Sequence, residues 1–283
     1  MNRMIQLSTK AAAIAGAAIV ALASASCGNN NSQSPGGCST QAPSGGAAFV
    51  GSVDLGYSVT SSGTNYNASA TFHPNYGGAA ASSSAACPGA QIGVCCFVPQ
   101  TTACPFPSSV SAGAITVSDG STLLGQIPYS DGYGDLSSSS SNNVAWHAGD
   151  TLNVSAPGAP GFVNSFMGSV VVPADLTGIS PAAIANGTAL TIPKSHDFVV
   201  SWTPGTGTSQ VVLYLSDITL EDIACKVPVT AGTITVSSTL LQMLGSGGSL
   251  TLAPFATGTA TDSNATLSVE ADGTFNFSST TYQ

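Results

Sequence analysis

From residue 47 onward the chain is written in short apolar or alternating runs broken by Gly, Pro, Asp and Ser clusters, with hardly any helical period between them. A period of two puts successive side chains on opposite faces of an extended strand, so such a chain folds by pairing strands. The runs are "NASATF" (67–72), "QIGVCCFV" (91–98), "AITVS" (114–118), "TLNVSA" (151–156) and "NSFMGSVVV" (164–172), followed by "ALTIP", "DFVVSWT", "SQVVLYLS", "GTITVS", "SLTLAPF", "ATLSVE" and "TFNFSS". Roughly a dozen strands without intervening helices predict an all-β antiparallel sandwich, in one body or two lobes. Only "STLLQMLG" departs from the pattern. There Ser237 or Ser238 caps a short helix over 238–244 that turns Leu240, Leu241 and Leu244 to one side and stops at Gly245.

One connection can be argued to the residue. In "ATLSVEADGTFNFS" a three-residue loop, Ala271-Asp272-Gly273, pairs Val269 with Phe275 and Leu267 with Phe277, leaving one face wholly apolar. A two-residue Asp272-Gly273 loop would mix polar and apolar residues on both faces. The three-residue hairpin is therefore the expectation, with Gly273 left-handed and the four apolar side chains buried together.

The N-terminus carries an address. Arg3 and Lys10 stand before "AAAIAGAAIVAL" (11–22), an apolar run too short to anchor in a bilayer, so residues 1–26 read as a signal peptide. "ALASASCGNN" (21–30) then permits two outcomes. Ala23-Ser24-Ala25 is a small-residue cleavage site that releases a soluble secreted protein; alternatively, Cys27 becomes the first residue and carries lipid. Residues 27–46, rich in Gly, Asn, Ser and Pro, form a tether whose coil reaches on the order of 25 Å. Beyond it, "PFPSSVSAG" (105–113) divides a Cys-rich N-terminal β lobe (47–112) from the main sandwich (113–283). "DGYGDLSSSSSNN" (131–143) is a low-complexity loop.

Without Arg3 and Lys10, two lysines, Lys194 and Lys226, face 13 acidic residues, a net charge of about −11. Such a surface does not neutralise a phosphate backbone, which excludes nucleic acid as a partner. Anionic headgroups repel it as well, so membrane attachment must come from acyl chains on Cys27. With 43% hydrophobic and 6% charged residues, the chain is too apolar for disorder and relies on Ser, Thr, Asn and Gly for solubility.

Seven cysteines cannot all pair in an oxidising compartment. If Cys27 carries lipid, Cys38, Cys87, Cys95, Cys96, Cys104 and Cys225 remain as disulfide candidates. Cys95 and Cys96 sit in a strand-like run, point to opposite faces and need different partners. Short separations favour Cys87 and Cys104 for those roles, leaving Cys38 with Cys225. No second C-x-x-C or His cluster supports a metal reading. Asp119, Asp131 and Asp135 lie in Gly-rich loops where Ca²⁺ finds oxygen ligands, but the full calcium-loop pattern is absent and solvated turn aspartates are the simpler reading. No cofactor is implied.

Catalytic signals are thin. His73, His147 and His196 lie far apart in sequence, no G-x-S-x-G elbow is present, and adjacent Glu221 and Asp222 face opposite ways on a strand. The expectation is a non-catalytic surface protein that presents loops for adhesion, ligand binding or an envelope structural role, with Tyr129, Tyr133 and Trp146 as candidate exposed aromatics for a glycan. The alternative is a secreted hydrolase whose triad no motif reveals.

Two resemblances bear on this. Ser24-Ala25-Ser26-Cys27 resembles the lipobox of bacterial lipoproteins, although Leu22 stands two positions ahead of the usual leucine. With Gly28 rather than Asp after the cysteine, that resemblance implies the outer membrane. Further along, "GVCCFVP", "SAGAITVSDG", "WHAGDTLNVSAPG", "HDFVVSWTPG" and "IACKVPVTAGTITVSSTLLQML" resemble uncharacterised lipoproteins that myxobacterial-type genomes carry in many copies. What this implies is a lipid-anchored, extracytoplasmic all-β protein, with no catalytic residue to carry over.

Overall fold

The computed structural model describes residues 48–60, 63–74, 89–99, 109–129, 133, 146–219, 221–262 and 264–283. In chain order the strands are β1 (Phe49–Thr60), β2 (Gly63–Pro74), β3 (Gln91–Ile92), β4 (Cys95–Val98), β5 (Ile115–Asp119), β6 (Thr122–Ile127), β7 (Thr151–Ala156) and β8 (Phe166–Val171). They continue with β9 (Leu190–Ile192), β10 (Phe198–Ser201), β11 (Gln210–Asp217), β12 (Asp222–Pro228), β13 (Thr233–Val236), β14 (Gly247–Thr261), β15 (Ala265–Asp272) and β16 (Asn276–Tyr282). Two short helices, α1 (Ala182–Ala185) and α2 (Ser238–Leu241), complete the set with one 3₁₀ turn at Val229–Ala231. The all-β expectation holds, and pairing is antiparallel except between β1 and β15 and between β16 and β9. Strands β1, β6 and β12 were absent from the sequence reading. Along β1 Val53, Leu55 and Tyr57 alternate inward, and along β12 Ile223, Cys225 and Val227 do the same.

Strand β14 is the axis of the molecule. Its first half lies between β11 and β16, its second half between β8 and β15. One core forms on the first half, where Leu213, Leu215, Ile223, Leu250 and Leu252 meet Val200, Trp202, Ile234 and Val236 from the separate β10–β13 pair. The other forms where β2, β1 and β15 face β5 to β8, around Phe72, Leu55, Val269, Ile115, Leu152, Trp146 and Phe166. These cores do not divide at 105–113. Phe97 of β4 packs in the first core with the C-terminal strands, whereas β5 to β8 share the second with β1 and β2.

Helix α2 forms as its sequence directs. The Ser237 hydroxyl accepts from the Thr239 N–H at 3.2 Å, capping the first turn, and Leu240, Leu241 and Leu244 are buried in the first core. The Asp197 carboxylate also accepts from the Ser238 N–H at 2.8 Å, tying the helix to the start of β10. Helix α1 lies in "SPAAIANG" ahead of β9 and buries Ile184.

The hairpin expectation fails, and its failure is informative. Strands β15 and β16 do not pair with each other; both run antiparallel to the same edge of β14, end to end. Phe255 pairs with Asp272, while Leu252 pairs with Asn276, so three residues of β14 face four on the opposite chain. Asp272-Gly273 thus belongs to a one-residue bulge in a continuing line, and Gly273 is not left-handed. Its N–H donates to the Pro254 carbonyl at 3.0 Å. Pro254, which has no N–H for a ladder, sits where the partner on this edge changes.

An added residue moves every later side chain to the other face. Accordingly Val269 and Ala271 are buried ahead of the bulge, but Ser278, Thr280 and Tyr282 are buried after it. Phe275 is half-buried and Phe277 is 40% exposed. The Ser278 hydroxyl satisfies itself on the Ala183 carbonyl at 3.2 Å.

Glycine permits one close approach on the same strand. A Cβ at Gly258 would collide with the Ser169 carbonyl of β8, so any side chain there would separate the two strands.

Denaturant unfolding checks the bulge. Leu252→Ala, in the first core, should cost about 2–5 kcal/mol. Phe277→Ser should cost less than about 1 kcal/mol, whereas the hairpin register would make it a core truncation.

Candidate functional site

The described cysteines lie in the first core's sheet. Strand β4 lies beside β12, with Cys95 directly opposite Cys225, and the two form a disulfide with Cα atoms 4.1 Å apart. This overturns both expected partners, Cys38 for Cys225 and Cys87 or Cys104 for Cys95. Proximity in sequence was the wrong guide because β12, unread as a strand, brings Cys225 across 130 residues. Cys96 points to the opposite face and is also disulfide-bonded, so the neighbours do have different partners. Cys27, Cys38, Cys87 and Cys104 lie outside the described residues.

The aromatic residues expected at a glycan surface serve the second core instead. Trp146 is buried and meets Tyr66 edge to face at 4.8 Å. Tyr133 is half-buried; its hydroxyl accepts from the Ala112 N–H at 2.6 Å and donates to the Gly113 carbonyl at 3.1 Å. Tyr129 donates to the Ser109 carbonyl at 3.0 Å and stacks edge to face on Tyr133 at 5.0 Å. These hydroxyls tie the loops around 109–113 to the sheet. An apolar ring with a buried polar tip does such work commonly.

The histidines sit on three separate elements. His73 is on β2, His147 is exposed in the turn before β7, and His196 is exposed before β10. His147 Nδ1 lies 3.5 Å from Asp150, which also accepts from the His147 N–H. His196 Nδ1 lies 2.8 Å from the hydroxyl of its sequence neighbour Ser195. The adjacent Asp197 is committed to capping α2. Asp119 ends β5, while Asp131 and Asp135 lie outside the described residues. Among the described residues no three His, Cys, Asp or Glu side chains gather to hold a metal ion.

Two features of the surface were not visible in the sequence. The first is an open groove of about 830 Å³ over the outer face of β6, β5, β7 and β8. Pairing aligns Gln126, Thr116, Ser155 and Met167 across four strands, and Pro157, Ser165 and Ala114 line the groove beside them. Gln126 Nε2 donates to the Thr116 hydroxyl at 3.4 Å, and Met167 is 74% exposed. None of the lining side chains is ionisable. The groove therefore offers neutral hydrogen-bond donors and acceptors beside one flexible thioether.

The second feature is a carboxylate row on the outer face of β1 and β15. Asp54 lies directly opposite Glu270, and Asp272 is two residues further along on the same face. Burial, with the neighbouring Glu270 carboxylate, pushes Asp54 up to about 7; the Ser52 hydroxyl, donating at 2.9 Å, works in the other direction. Burial also raises Glu270 and, together with Asp54 and Glu270, holds Asp272 well above the usual carboxylate range. Lys226 is the cation of this face. Burial holds it below the usual lysine range, and its ammonium lies 4.4 Å from the Phe255 ring. Alternation placed Glu270 on a strand but not Asp54, and only the parallel pairing of β1 with β15 makes them neighbours.

Asp217 shows the opposite balance. Its burial alone would raise it, but N–H donors from Thr219, Glu221 and Gly245 and the Thr219 hydroxyl hold it below the usual carboxylate range. It ties the β11–β12 turn to Gly245, between α2 and β14, and is structural.

Comparison with known proteins adds little. No protein family and no curated protein matches the chain. Among solved structures it is similar to one described as a tetra-tandem repeat in the extending region of a large adhesion protein, at 17% identity over 80% of this chain. The chain spans about half of that structure, 49%, with a TM-score of 0.19, an overlap too loose to bear on fold or role.

Peptide mapping under non-reducing conditions should recover Cys95 and Cys225 in one linked species. A Cys225→Ala variant should lose about 2–5 kcal/mol of stability, because the bond closes a long loop and fastens β4 to β12.

Proposed function

We propose that the chain is a lipid-anchored, extracytoplasmic surface protein without catalytic activity, carried by acyl chains on Cys27 at the outer membrane. Its β body serves adhesion or ligand binding at the cell envelope. The observation that carries this reading is the N-terminal sequence: a positive start, a short apolar run, small residues and then Cys27 before a polar tether. The Cys95–Cys225 disulfide supports export, since such bonds persist in oxidising compartments. The uncharged groove over β5 to β8 supports binding, because nothing in its lining can exchange a proton with a substrate. The low charge of the exterior supports the same assignment: the body has no basic patch to hold an anionic membrane by itself.

The anchor is tested at Cys27. Cells expressing the full chain should retain it in the membrane fraction, and Cys27→Ser should move it to the soluble fraction without lowering its thermal midpoint. Mass analysis of the N-terminal peptide should show more than one acyl chain on Cys27, since a single chain binds only marginally. An unmodified peptide beginning Ser26-Cys27 would overturn the proposal in favour of a secreted protein.

A further inference from the structure

Strand β2 pairs only with β1 among the described strands, and β1 joins the rest of the sheet only through β15. The ladder runs from Phe49 opposite Ala265 to Leu55 opposite Ala271. A single backbone bond from the Val110 N–H to the Phe72 carbonyl, at 2.9 Å, adds to it at the far side of β2. In sequence this hairpin follows directly on residues 27–46. Asp54 opposite Glu270 lies within the ladder, on the face turned away from the second core.

We propose that the β1–β15 seam is held by a proton shared between Asp54 and Glu270, so that the N-terminal hairpin docks firmly in acid and loosens as the medium becomes neutral to alkaline. The two carboxyl groups stand on one face directly opposite each other in the ladder, where two neighbouring carboxylates repel and one of them is favoured in its protonated form. When that proton leaves, two carboxylates face each other across one strand spacing, with Asp272 adding a third on the same face.

The other groups facing the seam do not remove this conflict. From β12, Lys226 draws Glu270 and Asp272 toward their charged forms but is itself weakened by burial. From β11, Tyr214 is pushed up to about 12 by burial and the nearby carboxylates, so it stays neutral. From β2, the residues opposite are Ser69 and Thr71, which do not titrate in this range, and His73 lies beyond them opposite Val50. From β14, Thr257 and Phe255 stand opposite Glu270 and Asp272. One lysine is therefore set against three carboxyl groups.

The direction with pH follows. A carboxyl group whose affinity for its proton is raised by folding stabilises the fold below its unfolded pKa, near 4, and loses that contribution as pH rises through the folded value, here about 7. Between those limits the opening equilibrium of the seam rises by up to about tenfold per pH unit.

Amide hydrogen exchange of the full chain, corrected for the intrinsic exchange rate, reads that equilibrium at residues 49–55 and 265–271. Protection there should fall steeply from pH 5 to 8 while the first core, around 211–215, stays protected. Asp54→Asn keeps a donor for Glu270 and removes the charge, so its slope should flatten to less than about twofold across the range. Ser52→Ala removes a hydroxyl that favours the charged form, so it should move the loss of protection to higher pH. This second variant tests the seam even if Asp54→Asn does not fold. His73→Gln should leave the slope unchanged. Protection that does not vary with pH, an unchanged slope in Asp54→Asn, an unmoved profile in Ser52→Ala, or a slope that disappears in His73→Gln would each overturn the proposal.

Discussion

Both cores hang on the backbone ladders of β14. Fifteen residues of one strand hydrogen-bond to β11 and β16 over the first half and to β8 and β15 over the second. Because alternation along β14 is unbroken, its even-numbered residues face inward throughout: Leu250 and Leu252 enter the first core and Ala256 packs against the second. An interruption of this strand would separate the two halves of the molecule. Cores built on adjacent chain segments would not share such an axis, which is why the division between them falls in space and not at a linker.

The partner strand absorbs the mismatch that β14 does not. One extra residue between Asp272 and Asn276 bends the β15–β16 line and reverses its inward parity, so a stretch that reads as apolar alternation buries serine and threonine instead of phenylalanine. The cost of burying the Ser278 hydroxyl is offset by its bond to Ala183 in α1. This helix, absent from the sequence reading, therefore has a definite role at the bulge.

Charge is scarce in this chain, and its placement separates support from function. Asp217 and Asp197 are spent on backbone N–H groups at turns and helix ends. The Asp54, Glu270, Asp272 and Lys226 group gathers on one outer sheet face, where it is expensive to keep charged. The groove over β5 to β8 carries no ionisable side chain in its lining.

Local information was sufficient for what local physics controls. Alternation identified most strands and hence the all-β class, Ser237 and the leucines after it specified α2, and the opposite orientation of Cys95 and Cys96 followed from strand geometry alone. The N-terminal signal is likewise a property of consecutive residues. Contacts between distant strands were not legible. The Cys95–Cys225 bond, the carboxyl pair of Asp54 with Glu270, the four-strand line of the groove, and the burial of Tyr133 and Trp146 all depend on which ladder each strand joins. Periodicity fixes the faces of a strand but not its neighbours, and a single inserted residue at Gly273 exchanges those faces without altering the pattern that precedes it.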